Sequence, residues 1–323
     1  FCAPPAAAWW SSANRTRPRS MPPADGWPGL LAAAARLSWD LSRDLHLLLQ
    51  YPFMRNAFVA GGVAAVMCGV IGWFAVLRGE TYAAHTLASV AFPGASGAVY
   101  LGLAPLVGYF GFAVAGAGLI AWLSPRGTGH REGHSATVGA VQAMALAIGF
   151  WFVSLYRGFL SSLSGFLFGS FLGVTRVDVA VLMVTAVLAL GVLAVLGRPL
   201  LFASVDPLVA EAAGVPVRAV SLLYLILLGC AVAEASQFTG VLLVLALLVV
   251  PAATASALTA RPSVGLALSV GLALVTVWGG LAAAYFTNRP VGFWVTSIGF
   301  AGYVLARAAA AAGRRWNRRV VTA

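Results

Sequence analysis

Two ionisable side chains stand inside long apolar runs, where they could bind a cation or move a proton. His85 lies in the run YAAHTLASVAFPG, and Glu234 lies with Gln237 at the junction of two apolar segments. An ionisable group at membrane depth is costly to bury and is a functional candidate by default. Imidazole and carboxylate also bind transition metals. His85 and Glu234 are therefore candidate metal ligands, and a histidine hydrogen-bonded between helices is the alternative for His85.

A second group of possible ligands lies in SPRGTGHREGHSA, where His130 and His134 flank Glu132. The spacing would suit a metal, but a loop so rich in glycine does not hold ligands in place. A solvated loop is the favoured interpretation. No nucleophile, base and acid are grouped along the chain, so an intramembrane enzyme would require His85 and Glu234 to converge at one depth.

The elements that position these residues are predicted from composition. The chain of 323 residues is 61% hydrophobic and 9% charged, whereas soluble domains carry about 25% charged residues. Too few charges remain to cover a water-facing surface. Apolar runs of about 20 residues favour transmembrane helices over a barrel, whose strands alternate at every second residue. The predicted fold class is therefore all-α, multi-pass and integral to the plasma membrane.

The formal net charge of +11 comes from arginines in the two tails and at the ends of the apolar runs. Retention of arginine-rich segments on the cytoplasmic side of a membrane explains this placement. A nucleic-acid partner is therefore not expected, and the lipid bilayer is the expected surroundings of the chain.

Four regions are predicted along the chain: a disordered tail, an amphipathic segment lying on the membrane, a transmembrane domain and a basic cytoplasmic tail. They cover 1–26, 27–53, 54–311 and 312–323. Nine apolar runs in the third region are candidate spans of eight to nine transmembrane helices. These are 56–77, 82–102, 103–123, 136–156, 178–198, 219–237, 239–258, 264–286 and 291–311.

Two further features of the transmembrane domain follow from the same runs. The segment 161–173, SSLSGFLFGSFLG, is short and broken by glycine and serine, which predicts a re-entrant piece or a helix lining a cavity. If all nine candidates cross, five arginine-bearing segments share the cytoplasmic side and the N-terminus lies outside. These segments are Arg78, Arg126–Arg131, Arg198–Arg218, Arg261 and Arg314–Arg319.

The loop at 198–218, RPLLFASVDPLVAEAAGVPVR, predicts a short helix at 207–213. Asp206 is a good N-cap, and Pro207 suits the first helical position. Gly214 followed by Pro216 predicts the end of the helix. A helix on the arginine-rich side could dock a cytoplasmic partner, and an ordinary surface helix is the alternative.

The loop sequence FASVDPLVAEAAGVPVR, followed by TGVLLVLALLVVPAATA, resembles the permease subunit of the metal-uptake ATP-binding cassette (ABC) transporters, the zinc, manganese and iron class. The segments 54–79, FPGASGA at 92–98 and SGFLFGSFLG at 164–173 fit this family in the same order. The resemblance covers 54–311. It implies the all-helical, intertwined fold of the type II importers, the vitamin B12 importer class, with Pro93 and Pro251 breaking helices of the pathway.

The resemblance also implies partners. A second permease copy would complete the path, two cytoplasmic ATP-binding subunits would bind the 207–213 helix, and an extracytoplasmic protein would deliver the metal ion. Coupling would run through Asp206, Pro207, Glu211 and Gly214. The chain has no GxxxxGK[ST] phosphate loop, which agrees with ATP use in a separate subunit. We therefore expect a transport subunit that is not an enzyme and binds no cofactor, with the metal as cargo.

Candidate ligands also follow from the resemblance. The second helix of the family reads Asp-x-x-x-His, eight and four residues before a proline. Counted back from Pro93, this chain has His85 in place of the acid and Ser89 in place of the histidine. The i, i+4 spacing keeps both on one helix face. The missing carboxylate leaves a second function open, a permease for siderophore or cobalamin chelates, and the sequence does not choose among zinc, manganese and iron.

Overall fold

The computed structural model describes residues 52–124, 131–155, 174–240, 244–287 and 289–321. Within these ranges the chain is helical and forms no strand, which confirms the predicted fold class. The helices are α1 (Pro52–Arg78), α2 (Thr81–Tyr100), α3 (Pro105–Leu123), α4 (Arg131–Leu155), α5 (Arg176–Val205), α6 (Pro207–Ala212), α7 (Val217–Thr239), α8 (Val244–Leu248), α9 (Val250–Leu258), α10 (Pro262–Thr287) and α11 (Val291–Val321).

Seven helices in the described part of the chain are long and apolar enough to cross a membrane. They are α1, α3, α4, α5, α7, α10 and α11, and each corresponds to one predicted span. The two remaining predicted spans are not among these seven. Helix α2 has 20 residues but is interrupted by polar side chains, and the run predicted as 239–258 contains the two short helices α8 and α9.

One end of the bundle collects arginines from helices that are far apart in sequence. At the end of α1, Arg78 Nη2 donates a hydrogen bond to Ser221 Oγ in the first turns of α7, at 2.8 Å. The first turn of α10 lies against Trp73 of α1. The end that carries Arg78, Arg218 and Arg261 is called the basic end below. Its composition agrees with the predicted cytoplasmic side.

The opposite end is held by contacts between the start of α1 and two other helices. Asn56 Nδ2 donates to the carbonyl oxygen of Val174, just before α5, at 3.3 Å. Trp278 Nε1, in the second half of α10, donates to the Phe58 carbonyl oxygen at 3.2 Å. Helices α1 and α10 are therefore antiparallel neighbours, and α5 begins at the end opposite to the basic end.

Glycines allow the helix backbones to approach closely. A Cβ atom on Gly94 of α2 would overlap the carbonyl oxygen of Gly108 on α3, and one on Gly108 would overlap that of Gly94. Helix α1 is joined to α10 in a similar way, since Ser269 Oγ donates to the Gly69 carbonyl oxygen at 2.7 Å. Close backbone contact through small residues stabilises helix pairs in membranes, where lipid supplies no hydrophobic driving force.

Neither of the two prolines predicted to break pathway helices divides its helix sharply. Between α8 and α9, Val249 keeps α-helical backbone angles, and its N–H donates to the Leu245 carbonyl oxygen at 2.9 Å, so the run that contains Pro251 is nearly continuous. Helix α2 continues through Pro93 to Tyr100, which corrects the break predicted there. Pro93 lies buried where α2 packs between α3 and α4, and neighbouring helices let a membrane helix tolerate a proline.

Some predicted regions lie outside the residues that the structure describes, and others lie at the ends of the described ranges. The tail at 1–26, the segment at 27–51 and the possible re-entrant piece at 161–173 lie outside the described residues. The basic region at 312–323 was predicted as a separate tail, but α11 continues through it to Val321. Helix α4 begins at Arg131, so His134 is helical, and its Nδ1 lies 2.9 Å from Ser124 Oγ. This placement corrects the solvated loop expected at His134.

Candidate functional site

His85 lies on the first turns of α2 and is half-buried. Its ring Nδ1 is buried and has no hydrogen-bond partner in the structure. Its backbone carbonyl oxygen accepts a hydrogen bond from Ser89 Oγ at 3.1 Å. An imidazole nitrogen with an unused lone pair is able to bind a metal ion, and one that carries a proton is able to donate a hydrogen bond to a water molecule of a hydrated ion.

Gln142 of α4 lies beside His85 and connects two hydroxyls of α2. Its Oε1 accepts from Thr86 Oγ1 at 3.1 Å, and its Nε2 donates to Ser89 Oγ at 3.4 Å. Since Ser89 Oγ also donates to the His85 carbonyl oxygen, its hydroxyl hydrogen and one lone pair are already used. Ser89 therefore serves mainly to stabilise α2 through these hydrogen bonds and is a poor metal ligand.

Glu234 lies in a different environment, close to the end of α7. Its side chain is buried, with 1% of its surface exposed, and neither carboxylate oxygen accepts a well-formed hydrogen bond, although the Thr185 side chain lies close to it. It lines a small cavity, of about 10 Å³, with Asp178 and Thr185 of α5. The side chains of Leu106 and Phe110 of α3 form an apolar wall. We call this space the Glu234 cavity.

Asp178 joins the Glu234 cavity through the first turn of α5. Its Oδ2 accepts from the Thr175 backbone N–H at 3.0 Å and from Thr175 Oγ1 at 2.7 Å. The Asp178 N–H donates in return to Thr175 Oγ1 at 3.2 Å, completing a capping box. The carboxylate is therefore held in a defined position at the rim of the cavity.

The predicted ligands do not come together in one site. Helices α2 and α7 both begin at the basic end, because Arg78 joins the α1–α2 corner to Ser221. With a helical rise of about 1.5 Å per residue, His85 lies about 7 Å and Glu234 about 20 Å beyond that level. His85 and Glu234 are thus separated by about 12 Å in depth, and a catalytic pair built from them is not supported. No group of three or more His, Cys, Asp and Glu residues is found in the part of the chain that the structure describes.

Helix α6 is exposed at the basic end, between α5 and α7. Asp206 Oδ1 accepts from the N–H groups of Leu208 and Val209 at 3.0 and 3.1 Å, and Pro207 is the first helical residue. The helix ends at Ala212, one residue earlier than predicted. Gly214 then has a φ of +85°, which favours glycine. The local structure predicted for this loop is therefore confirmed.

A polar cluster at the basic end links α6 and α7 to α2. Arg78 pairs with Glu80 Oε1 at 3.0 Å, donates to Ser221, and lies 5.2 Å from the centre of the Tyr224 ring. Tyr224 Oη donates to the Ile71 carbonyl oxygen at 3.1 Å. The start of α7, which follows α6 directly, is thus bonded to the corner from which α2 leads to His85.

Comparison with known proteins places this arrangement in a family. Residues 50–310 match the ABC 3 transport family. The chain belongs to the ABC 3 transport family. It is 32% identical over 240 residues to the manganese transport system membrane protein MntC of Halalkalibacterium halodurans, a match that covers 74% of this chain and 80% of MntC. It is 29% identical over 216 residues to the manganese import system permease protein ScaB of Streptococcus gordonii, covering 67% and 75% of the two chains.

The fold of this ABC 3 family member is shared with a solved structure. PsaBC from Streptococcus pneumoniae, determined in complex with Fab, superposes with a TM-score of 0.73 at 24% sequence identity. The match covers 82% of this chain and 95% of that one. The family and fold predicted from the loop and the proline-bearing run are confirmed, as is a multi-pass membrane location.

Sequence reasoning missed three polar residues of this ABC 3 protein that share surroundings with the predicted ligands. Gln142 reaches α2, and Asp178 and Thr185 face Glu234. A polar side chain within an apolar run was the available signal for Gln142 and Thr185. Nothing in the sequence pairs these residues with their neighbours, because the pairs lie on helices separated by about 50 positions.

Proposed function

We propose that this ABC 3 family member is the permease of an ATP-driven importer for divalent transition-metal ions, with manganese as the expected cargo. The observation that carries the proposal is α6, a capped helix exposed at the basic end of a bundle with this family's fold. The names of the relatives MntC and ScaB support manganese over zinc and iron.

Helix α6 is suited to docking a cytoplasmic ATP-binding subunit. Leu208 and Val209 expose 59% and 52% of their surfaces, while Ala210 is buried against the bundle. Exposed apolar side chains beside the polar Glu211 form a small surface of the kind that partner proteins cover. ATP hydrolysis would then take place in the partner, and this chain would contribute no ATPase site.

A movement of α6 can be transmitted through α7 to the helix that carries His85. A displacement of α6 moves the start of α7, since only Ala213–Pro216 separate the two helices. The hydrogen bond from Arg78 to Ser221 passes that displacement to the α1–α2 corner. His85 follows five residues after Glu80, so the proposed metal ligand lies next to the element that moves.

The assembly proposed for transport contains more than this chain. A second copy of the permease would complete the path, and an extracytoplasmic protein would deliver the ion at the end opposite to α6. His85 would contact the ion transiently, with further ligands from water, backbone carbonyls or the second copy. A site with one weak protein ligand suits a conduit, because a tightly held ion could not leave.

The proposal is tested by purifying the permease with its ATP-binding subunit, reconstituting both in vesicles, and measuring radiolabelled manganese uptake with ATP on the α6 side. ATP-dependent uptake of the free ion is the expected result. Vesicles containing a Walker-motif mutant of the ATP-binding subunit serve as the control. Uptake that occurs only with a siderophore-bound or cobalamin-bound metal contradicts the proposal and favours a chelate permease.

A further inference from the structure

We propose that the Glu234 cavity is a second cation site, which holds one divalent cation through Glu234, Asp178 and Thr185. The site lies at the end of the bundle opposite to the basic end, about 12 Å in depth from His85. It rests on the proposed function in one respect, namely that its cation is the one transported. It would receive the ion before His85 does.

The environment of Glu234 is the first argument. A carboxylate that is almost fully buried without a well-formed hydrogen bond carries a large desolvation cost, which protonation, a paired charge or a bound cation compensates. Among the described residues the one ion pair is Arg78–Glu80, at the other end of the bundle. No arginine or lysine side chain lines the cavity. Glu234 is therefore compensated by its own proton or by a bound cation, and the rest of the cavity decides between the two.

The content of the cavity is the second argument. Asp178 places another carboxylate at the same space from a different helix, held by its capping box. Two carboxylates around one cavity suit a divalent cation, since each neutralises part of its charge. Thr185 Oγ1 donates to the carbonyl oxygens of Val181 and Leu182, both at 3.0 Å. Its oxygen keeps lone pairs for a cation.

The second carboxylate distinguishes a metal ion from a proton. Protonation of Glu234 would need no partner on another helix, whereas Asp178 brings a carboxylate to the same space. The cavity volume of about 10 Å³ is of the order needed for one water-sized group, so the space suits a single small ion. Carboxylate and hydroxyl oxygens are ligands that suit Mn²⁺, whereas the imidazole of His85 also suits Zn²⁺ and Fe²⁺. The Glu234 cavity would therefore favour hard ions early in the path.

The test measures equilibrium binding of Mn²⁺ to the purified permease–ATPase complex in detergent without nucleotide, using electron paramagnetic resonance of the free ion. We expect Glu234→Gln to lose one bound Mn²⁺ per permease or to weaken it by about tenfold or more. Glu234→Asp should retain weakened binding, and Asp178→Asn should weaken it as well. His85→Ala should leave this binding event unchanged. Thr276→Val is the control, because Thr276 lies on α10, does not line the cavity, and donates its Oγ1 hydrogen bond to the Leu272 carbonyl oxygen at 2.7 Å; it should not alter Mn²⁺ binding.

Thermal unfolding separates ligand loss from misfolding. In EDTA, Glu234→Gln should unfold at or above the wild-type temperature, since it removes a buried charge, and added Mn²⁺ should stabilise wild type but not the variant. Mn²⁺ binding by Glu234→Gln equal to that of wild type overturns this inference, and if wild-type uptake is normal the proposed function stands. Wild-type protein that neither binds nor transports Mn²⁺ overturns both.

Discussion

At the scale of single residues, His85 is the side chain on which the proposed metal path depends most. Its buried Nδ1 has no partner, so replacing it with alanine removes a potential ligand without breaking a side-chain hydrogen bond. We expect His85→Ala to reduce manganese uptake by about tenfold or more while the ATP-binding subunit remains bound. Ser96→Ala is a suitable control, because Ser96 lies on the same helix and its Oγ bonds only the Pro93 carbonyl oxygen, at 3.1 Å. Wild-type uptake by His85→Ala would assign this histidine a packing role.

The converse substitution, His85→Asp, restores the acid that the resemblance implies at this position. A carboxylate prefers harder ions than imidazole does. We expect His85→Asp to retain uptake and to shift the preference between manganese and zinc toward manganese, measured by competition with unlabelled zinc in the same vesicles. An unchanged preference would indicate that His85 does not contact the ion.

The identity of the polar residues at these positions was readable from the sequence, but their surroundings were not. His85 and Glu234 stand out because they interrupt apolar runs. Their separation in depth depends on the joint between Arg78 and Ser221, which lie 143 positions apart. Contacts over such distances are created by packing and leave no local pattern in the chain.

At the scale of the element, α6 makes the sharpest prediction. Glu211→Lys together with Gly214→Val should leave the protein in the membrane but abolish stimulation of the ATP-binding subunit. The lysine reverses the charge on the exposed face, and valine is strained at a φ of +85°. ATP hydrolysis by the reconstituted complex is the measurement.

Gly102→Val provides the matched control for backbone strain. Gly102 has a φ of +72° in the turn between α2 and α3, and a Cβ atom there would meet nothing within 4 Å, as at Gly214. It should therefore cause similar local strain and leave coupling intact. Normal ATPase stimulation and transport by the double variant of α6 would show that the docking role is wrong.

Local signals predicted α6 because its N-cap, first-turn proline and terminal glycine all act within a few residues. The continuity of α2 was not predictable in this way. Proline lowers local helix stability, but Pro93 is buried among neighbouring helices. Whether a proline ends a helix in a membrane therefore depends on its neighbours, which sequence-local rules do not include.

At the scale of the whole molecule, the arginine distribution predicts orientation. Reporter fusions after Arg198, Arg261 and Arg315 should all report the cytoplasm, and a fusion after Asn288 should report the outside. Helix α10 runs from Pro262 to Thr287, so the Arg261 and Asn288 positions flank one crossing. Two of the four fusions on the unexpected side would contradict the assignment in the C-terminal half.

Composition was sufficient to predict a helical membrane protein, and seven spans were found from apolar length alone. The two exceptions differ in kind. Helix α2 is long enough but carries His85, Thr86 and Ser89, whose polarity is tolerated because they face protein. The run from Val244 to Leu258 is apolar enough, but the part of it that the structure describes is shorter than a full span.

The reciprocal contact between Gly94 and Gly108 has a consequence for motion during transport. Each backbone carbonyl occupies the volume that a side chain on the other glycine would need. The backbones of α2 and α3 are therefore in direct contact at this point. Neither helix can rotate or slide along the other without a collision. A conformational change that exposes His85 to each side of the membrane in turn must therefore move α2 and α3 together as one rigid body. The helix interfaces that change during transport lie elsewhere in the protein.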